Sequence, residues 1–262
     1  LAYTHLIWKR FSIAKSHFNK LAEYKQGQYY AASNYYLGFI CCNENKFDES
    51  LKRFERIVNY PNYTKYLHSH VTSVLYLKND VAGTIAYGEN ILNSKDSISD
   101  KNRIEIIKII AFAYFDQKKY AKANQYFRLY LTQRESANLY DIDLLLRSAK
   151  AQMEIAKFDD AIATLQRITQ SDGTKALQQS LNYQAQANIA IGKKNDARSN
   201  LDAIRKIQVD KKFEDESNLN FGKLSYELHD NKIAAEVLSL LVVHDVYGPE
   251  ARFWLNLPLE NK

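Results

Sequence analysis

Six histidines, two cysteines and a few clustered carboxylates are the residues of this chain with types suited to catalysis or metal binding. Histidine serves as a metal ligand or general base when a partner shares its helix face. His5, His17, His68, His70, His229 and His244 are scattered, and the nearest pair, His68 and His70, stands two positions apart. That spacing puts them on different faces of a helix and makes a poor metal pair. Cys41 and Cys42 are adjacent in a predicted helix, where neighbouring side chains diverge by about 100° and a disulfide would be strained. Small buried thiols with little reactivity are the expectation. Asp159-Asp160 and Glu214-Asp215-Glu216 fall at helix starts or polar turns, where a carboxylate complements the helix dipole. No Gly-x-Ser-x-Gly, phosphate loop or His-Glu-x-x-His is present. The expectation is a non-enzyme with no catalytic residue, metal or cofactor.

The elements that would hold any other site are helices. Hydrophobic residues make up 46% of the 262, enough for a core. Eight Gly and three Pro are too few for an all-β fold or a phosphate-binding glycine loop. Thirty-six basic and 30 acidic residues give a net charge of +6 with the signs interspersed, which disfavours nucleic acid as a partner. No apolar run reaches the length of a transmembrane segment, and no signal peptide is evident. The chain opens at Leu1, without Met and inside a helical stripe, so the compartment stays open.

One phrase recurs. Phe47, Ser50 and Phe54 place a small residue three positions, and a bulky one seven positions, after an aromatic. Tyr120, Ala123 and Phe127 repeat it, as do Phe158, Ala161 and Leu165. From Phe47 to Tyr120 is close to two units, and from Tyr120 to Phe158 is one. A period of about 34 residues or slightly more, built from paired helices, marks a solenoid. Its clearest unit runs from Ala31 to Asn62. Tyr36, Leu37, Phe39 and Ile40 surround Gly38 in a first helix, and Asn43-Glu44-Asn45 make a turn. Phe47, Ser50, Leu51, Phe54, Ile57 and Val58 stripe a second helix that Pro61 is expected to end. Gly38 and Ser50 read as the small residues of a close helix crossing. Short polar connectors such as Ser94-Lys95-Asp96-Ser97 and Ser171-Asp172-Gly173-Thr174 supply candidate caps. No linker divides the chain.

These residues resemble the tetratricopeptide repeat. Leu37, Gly38, Phe47 and Phe54 match its pattern with Ser50 at the Ala place; Tyr114, Tyr120, Ala123 and Phe127 match again, and Gly222 and Ala234 fall at its Gly and Ala places. Lys194 and Asn231 depart from it at the second-helix aromatic. At a finer level Tyr35 to Ile40, Ala86-Tyr87-Gly88-Glu89 and Asn220 to Leu228 resemble the long multi-repeat proteins of the Bacteroidota cell envelope.

The resemblance implies an all-α fold, a right-handed α-solenoid of antiparallel helix pairs. It would span 1–262 as one array, with a partial unit at 1–26, repeats near 27–62, 63–94, 100–135, 139–171, 175–209 and 214–244, and a partial or capping helix at 249–257. It also implies that the first helices line a concave groove. The positions carried over are Tyr35, Tyr36, Phe39, His70, Tyr76, Phe112, Phe115, Arg147, Lys150, Met153, Tyr183, Gln186 and Tyr226. The implied function is a scaffold binding a protein or peptide partner, periplasmic or envelope-associated, with the cytoplasm as the alternative. Other readings are a helical-repeat binder of single-stranded RNA and a self-assembling module, a homodimer through its terminal helices.

Overall fold

In a computed structural model of the chain, residues 1–94, 98–134, 141–169, 173–207 and 211–257 are described, apart from the side chains of 134 and 211–213. The capping residues expected at 95–97 and 171–172 lie outside these, as do the expected repeat limits at 135, 139, 171 and 209. Among the described residues there are fifteen α-helices and no strand. No described helix is long and apolar enough to cross a membrane.

The chain forms two compact units, 1–136 and 137–262. The first holds α1 (Ala2–Ile7), α2 (Phe11–Ala22), α3 (Tyr30–Asn43), α4 (Phe47–Glu55), α5 (Pro61–Leu77), α6 (Val81–Asn93), α7 (Asp100–Asp116) and α8 (Tyr120–Arg134). Each helix packs on the next, and α3, α5 and α7 also pack on one another in sequence. The second holds α9 (Ile142–Glu154), α10 (Phe158–Leu165), α11 (Thr174–Ala190), α12 (Lys194–Ile207), α13 (Lys211–Glu227), α14 (Asn231–Ser239) and α15 (Gly248–Leu255). There too consecutive helices pack, with α9 on α11 and α13 on α15.

The pairs close through one repeated turn. Lys9, Asn45, Asn79, Lys118, Ala156, Gly192 and His229 all have left-handed backbones, with φ between 55° and 76°. In the second of these turns Asn45 N–H donates to Cys42 O at 3.0 Å and Lys46 N–H to Cys41 O at 2.8 Å. The same three-back and five-back pair of bonds recurs at the other six. This satisfies carbonyls that a helix end would otherwise leave open. Only Gly192 adopts the conformation without a side-chain penalty, which for other residues is about 1–2 kcal/mol. The numbers of these seven residues advance by nearly equal steps, which gives the period independently of the side-chain stripes.

Packing follows the recurrent phrase. Phe54 and Ile57 are buried with Tyr30, Ala31, Leu67 and Val74, so one helix pair shares its core with the helix that follows. Ser50 is fully buried and its Oγ donates to the carbonyl of Gly38 at 2.7 Å, so a polar group sits in the crossing without an unmet bond. At Gly38 and again at Gly222 the space beside the missing side chain is filled from the paired helix, by Phe54 and Leu238. Pro61 departs from expectation: α4 stops at Glu55, and Pro61 is the first residue of α5. Proline fits the first helical turn because its missing N–H would have no partner there. Caps come from Asp80, Ser99 and Asp141, whose side chains accept from Gly83, Asn102 and Leu144 N–H.

Candidate functional site

In the first unit, the first helices of three successive pairs wall a cleft of about 740 Å³. α3 contributes Tyr35, α5 contributes Tyr66, Ser69, His70 and Ser73, and α7 contributes Lys101, Asn102, Ile104 and Glu105. Tyr35 Oη and His70 Nε2 share a hydrogen bond of 2.8 Å, worth about 0.5–1.5 kcal/mol net. Around them the Tyr35 ring meets Tyr36 at 5.4 Å, Tyr63 at 5.5 Å and His70 at 5.5 Å between centroids. Burial pushes the His70 imidazole below its ordinary pKa, against a smaller opposing pull from Glu105. Burial pushes the Tyr35 hydroxyl up, helped by neighbouring tyrosines. The cleft therefore presents neutral aromatic and hydroxyl groups at neutral pH.

Its polar wall is largely satisfied from within. The Ser69 hydroxyl is shared between Tyr66 O and Asn102 Oδ1, Ser73 Oγ donates to Ser69 O, and Asn102 Nδ2 donates to Lys65 O and Ser99 Oγ. Glu105 pairs with Lys108 at 3.0 Å. Further along, Tyr76 Oη donates to Asp116 Oδ2 at 2.6 Å, and Phe112 and Phe115 lean on Phe127 of α8.

In the second unit, Arg147 and Lys150 on α9 are partly exposed and paired along their own helix, Arg147 with Asp143 and Lys150 with Glu154, both at 2.9 Å. Such i,i+4 pairs are worth about 0.2–0.5 kcal/mol, so a ligand carboxylate could replace either partner at small cost. Met153, Tyr183 and Gln186 are half-buried on α9 and α11. Tyr226 on α13 stacks edge-on against Trp254 of α15 at 5.5 Å.

The turns, the small-residue crossings and the stacked pairs meet in the comparisons. A family model described as tetratricopeptide repeat matches residues 143–172, which hold α9 and α10. The C-terminal part of a TPR repeat-containing protein from Cytophaga hutchinsonii superposes with a TM-score of 0.75 at 15% identity, over 98% of each chain. The fold is the tetratricopeptide repeat. A tetratricopeptide repeat protein from Parabacteroides merdae gives a TM-score of 0.56 at 14% identity, over 97% of this chain and 94% of that one. YrrB, described as a TPR protein with an unusual peptide-binding site, gives 0.60 at 15% identity, over 76% of this chain and 97% of its own. Comparison with curated proteins finds no match.

Of the thirteen positions that the tetratricopeptide pattern nominates, Phe39 is exposed at 44% and the other twelve are half-buried. The structure brings Tyr35 and His70 together directly, Tyr36 onto Tyr35, and Tyr76 onto Phe112. Tyr66, Ser69, Ser73, Lys101, Asn102 and Glu105 line the cleft and were not nominated. A signal for part of this existed: Tyr63, Tyr66 and His70 fall at i, i+3 and i+7, a polar-aromatic stripe on one face of α5. Cys41 and Cys42 are free thiols; burial raises both, Cys41 to about 11, so neither is an activated nucleophile.

Proposed function

We propose that this chain is a non-catalytic scaffold that holds an extended protein or peptide segment against the first helices of its pairs, in a bacterial envelope-associated assembly. The observation that carries the reading is the cleft where Tyr35 of α3, Tyr66 and His70 of α5 and Lys101 and Asn102 of α7 face one space of about 740 Å³. A cleft of this size, lined by rings with few rotatable bonds, binds with little loss of side-chain entropy. The peptide-binding description of YrrB supports the same use of the fold. Arg147, Lys150, Met153, Tyr183 and Gln186 form the corresponding surface of the second unit in this reading, with cations there to meet acidic side chains.

A peptide-library selection against the full chain tests it. Tyr35→Ala combined with Arg147→Glu is expected to abolish capture of the selected peptides while the helical circular dichroism stays unchanged. Capture that survives both substitutions removes the groove assignment. Recovery of the native protein in the cytoplasmic fraction would remove the envelope assignment, which rests on the likeness to Bacteroidota repeat proteins.

A further inference from the structure

The first-unit cleft combines aromatic rings and hydrogen-bond donors with two charged groups from α7, the exposed Lys101 and a Glu105 carboxylate already paired with Lys108. α3 carries no charged residue, and α5 carries only Lys65. Of the lining groups, the Tyr66 hydroxyl and the Lys101 ammonium hydrogen-bond to no group among the described residues, and Tyr66 is 42% exposed. The seryl and amide groups between them are tied to one another, as described above. What remains for a ligand is flat aromatic surface and groups able to donate.

We propose that this cleft takes a proline-rich segment in the polyproline II conformation. The proposal rests on the reading above that the first helices hold a peptide, and names the peptide's chemistry. Proline offers no N–H, so a proline-rich chain needs donors for its carbonyls and asks for few acceptors. Its rings present apolar faces that pack on aromatic rings, and its pre-formed conformation loses little entropy on binding. The spacing also fits. Packed helices lie about 8–10 Å apart, and polyproline II advances about 9 Å per three-residue turn. A ligand crossing α3, α5 and α7, which contact one another in sequence, therefore presents the same ring face to each helix in turn.

Fluorescence anisotropy on the full chain, with labelled decaproline as the probe, tests this. A Gly-Ser peptide and an alternating Glu-Ala peptide of equal length serve as comparisons, with maltohexaose as a competitor. Saturable binding of decaproline above both peptides is expected. Tyr66→Ala should weaken it by about tenfold, and Tyr66→Phe, which removes only the donor, by roughly three- to fivefold. Binding of the Glu-Ala or Gly-Ser peptide in preference to decaproline, lost with Tyr35→Ala, would overturn the proline chemistry and leave the groove standing. Displacement of decaproline by maltohexaose, in a manner lost with Tyr66→Ala, would reassign the cleft to sugars. No peptide binding, or decaproline binding unchanged in both Tyr35→Ala and Tyr66→Ala, would overturn both readings.

Discussion

The ring of Phe54 occupies the volume that any side chain at residue 38 would need. A Cβ added to Gly38 would lie 2.7 Å from Cδ1 and 2.8 Å from Cζ of that ring, and Phe54 is itself almost fully buried. Gly38→Ala gains helix propensity of about 1 kcal/mol but forces a ring or a backbone to move, at about 1–3 kcal/mol. A lowered thermal midpoint is expected, with partial recovery when Phe54→Leu is added. A midpoint equal to that of the parent would show that the two helices can separate freely there.

The left-handed turns offer a stabilising change. Ala156 sits at φ 57° with a Cβ that disfavours it. Ala156→Gly removes that penalty and adds back some chain entropy in the unfolded state, about 0.5–1 kcal/mol. A net gain of up to about 1 kcal/mol is expected in urea denaturation. Asn45→Gly should gain less, because Asn tolerates this region. Equal effects at the two sites would contradict the strain argument.

Gln178 on α11 is fully buried, and neither its amide oxygen nor its nitrogen has a hydrogen-bond partner. An unmet buried polar group costs about 1–3 kcal/mol. Gln178→Leu keeps similar volume without that cost and should raise the denaturation midpoint of the second unit. A fall would mean that the amide is bonded in solution.

His70 makes stability depend on pH. Its folded-state pKa is lowered from 6.5 by burial. The unfolded chain therefore binds its proton more readily, and stability falls as pH drops below the unfolded value. His70→Gln keeps a partner for Tyr35 Oη and removes the titration. Its midpoint should decline less than that of the parent between about pH 7 and pH 5. Parallel declines would clear His70 of any role in acid sensitivity.

The helix stripes were legible because a close crossing demands a small residue at fixed distance from a bulky one. Gly38, Ser50 and Phe54 carry that demand in their types alone. The turns were less legible. Six of the seven left-handed residues are not glycine, and Lys118 or Ala156 gives no hint of its backbone, since the paired carbonyls and not the side chain impose it. Pro61 misled because proline serves equally at a helix start and after a helix end. The cleft was half legible. Transferring one to three positions per helix caught Tyr35 and His70, yet the wall also needs Tyr66 and Ser73 one turn either side. Tyr226 shows the remaining difficulty: its neighbour Trp254 comes from α15, two helices further along the chain.

The seven left-handed turns meter the chain in whole steps, which makes them natural joints for excision. Joining Asn45 to the residue after Asn79 would delete one complete step and bring α3 to α6 through an unaltered bend. A cut of any other length would arrive at the bend with the wrong residue in the left-handed place. Insertions and deletions that this architecture tolerates should therefore come in multiples of one step, so shortened or lengthened forms differ by complete helix pairs.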